Sequence, residues 1–434
     1  MPICKEDDMH RFRNNQRIPL LLLCLFGVIC SACTLVHATA PVSEASNAFG
    51  FRLYQQLSQR DAGKNILISP LSISAGLAMV YNGANGQTKS EMAKALGWQA
   101  LELPQLNGGY QTLLTSLQHT DKRSSLEMAD ALMVQKKFSL RSDFTRRCRD
   151  SYQAGLETTD FSGHEADARK KINRWIEQKT HGKILNMLQQ PLPSETMLVL
   201  IDTLYFKADW QHRFEGKKTD HMTFTCADGT KKYVMTMCNT EDYDCFVTNG
   251  LQAVRLPYTA DGTSMEIYLP AKSLGLTTFR NQLAADKWRS WSHLFSRHPC
   301  TLHLPHFTAD YNLDLKETLQ RLGMRVAFTT QADLSGTASG LSISNVFQHG
   351  MIKVNEDGTE AAAAFAGVEP KSIPKPAKPQ PYDITVDHPF FYAIRAKDGT
   401  ILFLGSIADP TLQEVKRQPR SHGTPNVSRK YHGR

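Results

Sequence analysis

The 434 residues are 41% hydrophobic and 21% charged, with 27 glycines and 20 prolines, a balance that excludes a disordered, collagenous or multi-span membrane chain and leaves ample apolar material for a core. The formal net charge is +8, yet residues 1–40 hold +1 of it and residues 411–434 hold +5, so the 370 residues between carry only +2. The basic excess belongs to a tail that is expected to be disordered, and no nucleic-acid partner is expected for the body.

From Ile18 to Ser43 there is no Lys, Arg, Asp or Glu; the apolar run Ile18–Ile29 follows Arg11, Arg13 and Arg17, and small residues lead to Ala38-Thr39-Ala40. This order predicts a signal peptide over residues 1–40, cleaved after Ala40, and hence a secreted protein, extracellular or periplasmic. Two alternatives stay open. One is lipid attachment at Cys33, after Ser31-Ala32; the other is a membrane anchor made by an uncleaved signal, although the apolar run falls short of the ~20 residues that a span needs. Beyond the leader, apolar periodicity predicts helices over Ala48–Leu57, over Leu71–Tyr81 entered through Ser69-Pro70, over Lys89–Leu96 stopped by Gly97, and over Ala168–Thr180 closed by Gly182. Strand-like runs follow: Met197–Phe206 leading to Trp210, Lys232–Met237, Gln252–Tyr258, Met265–Leu269, Thr301–Phe307, Phe390–Arg395 and Ile401–Ile407. A helix-rich first half and a strand-rich second half predict an α+β protein with large antiparallel sheets. Four of the nine cysteines fall in the leader, leaving Cys148, Cys226, Cys238, Cys245 and Cys300. That odd number suits buried thiols with at most one bridge, and the spacings fit neither a disulfide framework nor a zinc site.

One segment fits no element. From Glu356 to Pro381 a polar approach leads into Ala361-Ala362-Ala363-Ala364, and prolines then occupy positions 370, 374, 376, 379 and 381. Such a stretch has too little apolar bulk for a core, and its prolines bar it from the middle of a sheet, so it is expected to be an exposed loop.

Along roughly Ala45 to Pro410 the chain resembles the serpin family. The resemblance is carried by Asn65-Ile66-Leu67-Ile68-Ser69-Pro70-Leu71-Ser72-Ile73, by Gly83 to Thr88, by Trp175-Ile176-Glu177 with Gly182-Lys183-Ile184, and by Tyr205-Phe206-Lys207 with Trp210. Leu256-Pro257-Tyr258, Leu322-Gly323-Met324, Asp387-His388-Pro389-Phe390 and Phe403-Leu404-Gly405 continue it in order. It implies one domain over 41–410 in place of the roughly three that length alone suggests. It also implies three β-sheets, eight or nine helices, and a reactive-centre loop at 356–381. The activity it implies is suicide inhibition: a serine protease cuts the loop, is held as an acyl-enzyme, and is displaced as the loop inserts into the central sheet. No cofactor and no metal is called for, and the protein is expected to act as a monomer.

Within that expectation Gly358 supplies a flexible pivot and Thr359 is the first hinge residue to turn inward. Thr359, Ala361 and Ala363 alternate with Glu360, Ala362 and Ala364, so a strand built from them turns one set to the core and the other to solvent. Spacing from Glu356 puts the scissile bond after Lys371 or after Ser372. Lys375 and Lys378 each precede proline, which trypsin-like enzymes refuse; Lys371-Ser372 is therefore favoured, with a trypsin-like target. The region over which the sheet opens is assigned to Ser69, Ser72, Asp202, Gln348 and Trp210; Asp202 stands where the resemblance has Asn, and Gln348 where it often has His. An anionic polysaccharide is a further candidate partner, through Arg141, Arg146, Arg147 and Arg149. Two other function classes are weighed. No Gly-x-Ser-x-Gly, His-Glu-x-x-His or phosphate-binding glycine loop supports an enzyme, and His303 and His306 sit three apart on a strand, which points them to opposite faces. The stronger rival is a non-inhibitory carrier or plain protease substrate of the same fold.

Overall fold

Ser69 sits in extended backbone and accepts a hydrogen bond from Ser72 N at 3.2 Å, while Pro70 takes the first helical position, where a missing N–H costs nothing. Gly97 ends the third helix in the left-handed region at φ 77°. These two punctuation signals are realised in a computed structural model that describes residues 20–117, 124–259, 262–359 and 380–411, with side chains from Thr39 onward. The elements, in order, are α1 (Leu20–Arg60), β1 (Ile66–Ile68), α2 (Pro70–Tyr81), α3 (Gly86–Leu96), α4 (Leu103–Leu117), β2 (Ser124–Gln135), α5 (Ser142–Tyr152), β3 (Gly155–Thr159), α6 (Glu165–Lys179), β4 (Leu198–Asp209), β5 (Asp220–Thr225), β6 (Lys231–Val247), β7 (Leu251–Pro257) and β8 (Ser264–Pro270). Then follow α7 (Gly275–Gln282), α8 (Ala285–Ser292), β9 (Ser296–Pro305), β10 (Phe307–Asp314), α9 (Lys316–Arg321), β11 (Ile343–Val354), β12 (Gly358–Thr359), β13 (Tyr382–Thr385), β14 (Phe390–Arg395) and β15 (Ile401–Ile407).

The α+β class holds, but the halves are less segregated than the pattern suggested. Three strands of the central six-stranded sheet, β2, β3 and β4, come from the first half of the chain. The single strand expected over Thr301–Phe307 is two, β9 and β10, divided at Pro305-His306, where the chain leaves β6 and pairs from Phe307 onward with β11. The six-stranded sheet runs β10-β11-β12-β4-β2-β3, and the larger, nine-stranded one runs β1-β15-β14-β8-β7-β6-β9-β13 with β5 on β6. Residues 236–245 of β6 pair with β9 while residues 244–247 pair with β7, so this one strand joins what the family expectation counts as two sheets.

Apolar residues cover both faces of the six-stranded sheet. Leu132, Val134, Leu198, Leu200 and Leu204 pack into the main core with α2, whereas the alternate residues Ala131, Met133, Val199 and Ile201 pack on Ile172 and Ile176 of α6. Burial on both faces is why β4 reads as an almost unbroken apolar run. Asp202 interrupts it, on the α2 side.

Candidate functional site

β11 ends at Val354 and the chain reverses at once. Asn355 N donates to the Gly358 carbonyl at 3.0 Å and Gly358 N to the Asn355 carbonyl at 3.3 Å, while Asn355 Oδ1 accepts from Asp357 N at 3.1 Å and from Gly358 N at 3.3 Å. The turn delivers Gly358 and Thr359 into the end of the six-stranded sheet, where Thr359 lies opposite Val354 on one side and Ala208 on the other, antiparallel to both neighbours. Gly358 is therefore no free pivot: it is buried against β4, and a Cβ there would lie 2.1 Å from the Ala208 carbonyl oxygen, so only glycine fits the approach. Thr359 is 0% exposed, with its Oγ1 2.7 Å from the Tyr258 hydroxyl. The first inward residue of the hinge is already inside in the intact chain, earlier than the sequence reading has it.

Below this short strand, β4 and β11 pair directly with each other in parallel, from Leu198 opposite Ile343 to Tyr205 opposite Met351. A continuation of β12 would run between them and be antiparallel to both. The seam between β4 and β11 is thus the place where a further strand can enter, and its parallel ladder is what must part.

The entry point is heavily tied. Trp210 Nε1 donates to the Asn355 carbonyl and Trp210 N to the Asp357 carbonyl, both at 2.9 Å, and Phe214 N donates to the Glu356 carbonyl at 3.0 Å. The Trp210 ring stacks on Tyr258 at 4.5 Å and 10°, so the residue under the turn and the residue that holds Thr359 support each other. Glu356 accepts from Thr219 Oγ1 at 2.7 Å and lies 3.0 Å from His306 Nε2. Burial alone would raise its carboxyl, but Thr219, the backbone and His306 together hold it below the ordinary carboxylate range. Arg213 bridges Asp209 at 2.6 Å and Asp357 at 3.4 Å. Trp210, grouped from sequence with the sheet-opening residues, belongs to this hinge anchor.

The other four of that group do converge. Ser69 caps α2; Ser72 Oγ lies 2.6 Å from Asp202 Oδ1 and 3.1 Å from Asp130 Oδ1; and Gln348 stands opposite Asp202 across the seam. Sequence reasoning missed Asp130, which reaches Asp202 through the β2–β4 register. Burial pushes the Asp130 carboxyl up to about 7, with Ser72 opposing, and burial followed by the neighbouring Asp130 charge raises Asp202 well above the carboxylate range. Tyr258 was likewise missed as a hinge contact, although Leu256-Pro257-Tyr258 was noted as a motif. Of the basic cluster on α5, Arg146 is tied to Asp143 at 2.7 Å and Arg147 reaches the Asn82 carbonyl at 3.5 Å. Cys148, Cys226, Cys238, Cys245 and Cys300 are unpaired thiols. His303 contacts Cys238 at 3.9 Å and His306 faces Glu356, so the two histidines do diverge. Glu360 to Ala364, Lys371 and Ser372, with residues 1–19 and 412–434, lie outside the described residues.

The sequence profile of the serpin family, described as serine protease inhibitor, matches residues 44–410. The chain is a serpin. Among its relatives is the leukocyte elastase inhibitor of Bos taurus, 34% identical over 381 residues that cover 85% of this chain and 99% of that one. Among solved serpin structures, thyroxine-binding globulin in complex with thyroxine matches with a TM-score of 0.77 at 28% identity, covering 85% of this chain and 99% of that one. Serpin48 of the insect Tenebrio molitor, described as a highly specific serpin, matches with a TM-score of 0.75 at 30% identity, covering 85% and 98%.

Proposed function

We propose that this serpin is a suicide-type inhibitor of a trypsin-like serine protease. The observation that carries the proposal is β12: a strand already wedged between β4 and β11, followed in sequence by small residues that continue its alternation. The protease serine attacks the Lys371 carbonyl and the bond to Ser372 breaks. The new amine leaves with a proton, and residue 371 remains esterified to the enzyme. Freed from its C-terminal tether, the loop extends β12 down the seam and exchanges one parallel ladder for two antiparallel ones, which pair backbone groups along a whole added strand. The relative named for elastase inhibition supports protease inhibition in general.

Incubation with trypsin should give a detergent-resistant covalent complex of the two chains; cleavage with no complex would overturn the reading. A second expectation follows from the ladders. An added strand of about ten residues, at roughly 1 kcal/mol net each and about 2–4 °C per kcal/mol, should raise the Tm of loop-cleaved protein by on the order of 20 °C. Equal melting of intact and cleaved protein, followed by calorimetry, would argue instead for a carrier. One observation favours that second reading, a cleft of about 450 Å³ lined by Tyr54, Ser58, Lys64, Leu276 and Arg280; a carrier would bind its ligand there and form no complex with protease.

Secretion is part of the proposal and rests on the leader residues. N-terminal sequencing of the exported protein should begin at Pro41; a chain that begins upstream and carries lipid on Cys33 would mark the anchored alternative.

A further inference from the structure

Closing the seam leaves polar atoms unmatched at its centre. Asp202 and Gln348 are each 0% exposed, and among the described residues Asp202 Oδ2 and both side-chain heteroatoms of Gln348 have no hydrogen-bond partner. Ser72 lies within hydrogen-bond distance of both carboxyls but has one proton to give. The second of its contacts is made only when a carboxyl carries a proton and donates to Oγ. A buried acid pair with no cation beside it therefore needs at least one proton to be tolerated.

We propose that the Asp130–Asp202 pair is a proton-operated latch on the seam between β4 and β11, so that the sheet admits a strand more readily as the medium becomes less acidic. The proposal rests on the insertion reading above. In the closed sheet Asp202 is shielded from water beneath α2. Opening the seam brings water, or the backbone of an incoming strand, to Asp202 and Gln348 and removes most of the penalty on the ionised form. Closed-state carboxyls raised above their ordinary value stabilise that state fully at low pH and lose the stabilisation as pH rises through about 7, where Asp130 releases its proton. Asp130 is only partly buried, which gives the pair access to solvent protons.

Among the described residues, charged groups on the elements packed around the pair have other partners. α2 presents Ser72 to the pair, and opposite Asp202 stands Gln348 of β11. Its neighbour His349 is bonded instead to Asp310 of β10 at 2.7 Å. Asp314 of β10 holds Asn345 at 2.6 Å, and Glu127 of β2 faces His181 at 3.5 Å. His349 beside Asp310 and His306 beside Glu356 are also ionisable, so the test must separate them from the acid pair.

The test is annealing of a fluorescent synthetic peptide, corresponding to residues 360–369, into the full chain between pH 5.5 and 8.5; it requires no protease. Opening that lowers the pair's proton affinity by one pKa unit speeds annealing about tenfold across this range. Asp202→Asn, which replaces the acid with a neutral isostere, should compress that rise to less than about twofold, and Asp130→Asn should do the same if the first variant folds poorly. His349→Gln should leave the rise intact. An unchanged tenfold rise in both Asn variants would overturn the latch while leaving insertion standing. Failure of the peptide to anneal at any pH would overturn both.

Discussion

Lys371→Ala should weaken inhibition of trypsin by a factor of at least about a hundred. A trypsin-like pocket ends in a buried carboxylate that a lysine ammonium neutralises. Truncating one partner of such a buried charge pair costs about 2–5 kcal/mol, because the carboxylate is left desolvated and unpaired. The loss should appear in the rate of complex formation and leave the intact protein's Tm unchanged, since position 371 lies twelve residues beyond the sheet-bound Thr359. Mass spectrometry of the peptide released from the native sequence should show a new N-terminus at Ser372. A peptide that begins at Ile373 would move the bait to Ser372, and Lys371→Ala would then be nearly silent.

What the sequence revealed and what it concealed divide along a physical line. Signals read locally were legible: a serine cap and a proline at the first turn of α2, a left-handed glycine after α3, and the doubly buried apolar run of β4. Elements whose residues speak against their own state were not. β2 contains Glu127, Ala129 and Asp130, which have little preference for strand, and is held in place by its long register with β4. β6 was cut short at Met237 because Glu241, Asp242 and Asp244 interrupt its apolar pattern, yet the ladder to β9 carries the strand past them. The same distinction runs through the site. Ser69, Ser72, Asp202 and Gln348 were found by resemblance, although Gln348 meets Asp202 only through the register of β4 and β11. Asp130 was invisible because its importance is wholly a matter of standing opposite Asp202 across two paired strands. Likewise, nothing in Gly358-Thr359 announces that the hinge is already docked; that fact depends on Tyr258, about a hundred residues away, offering a hydroxyl to Thr359.

That docked hinge sharpens the expected behaviour of Thr359→Arg. In the intact protein Thr359 occupies a site with no exposure, between Val354 and Ala208 and against Tyr258. Arginine cannot be placed there without burying a guanidinium that has no counter-ion, a cost of several kcal/mol. The variant is therefore expected to expel β12 and lose the Tyr258 bond, so the hinge leaves the sheet before any protease arrives. Recognition at Lys371, ~40 Å away along an extended chain, is untouched, and acylation should proceed at the native rate or faster. After acylation, insertion competes with hydrolysis. Each residue beyond 359 can enter only after 359 itself has turned inward, so a barrier raised by ~3 kcal/mol slows the first step of insertion by about a hundredfold. Hydrolysis then wins. The variant should be cut at the same bond as the native protein, release active protease, and leave almost no detergent-resistant complex on a gel. Thr359→Ser, which keeps the hydroxyl and the small volume, should restore the complex. If Thr359→Arg trapped protease as efficiently as the native chain, extension of β12 between β4 and β11 would not be the route by which this serpin acts.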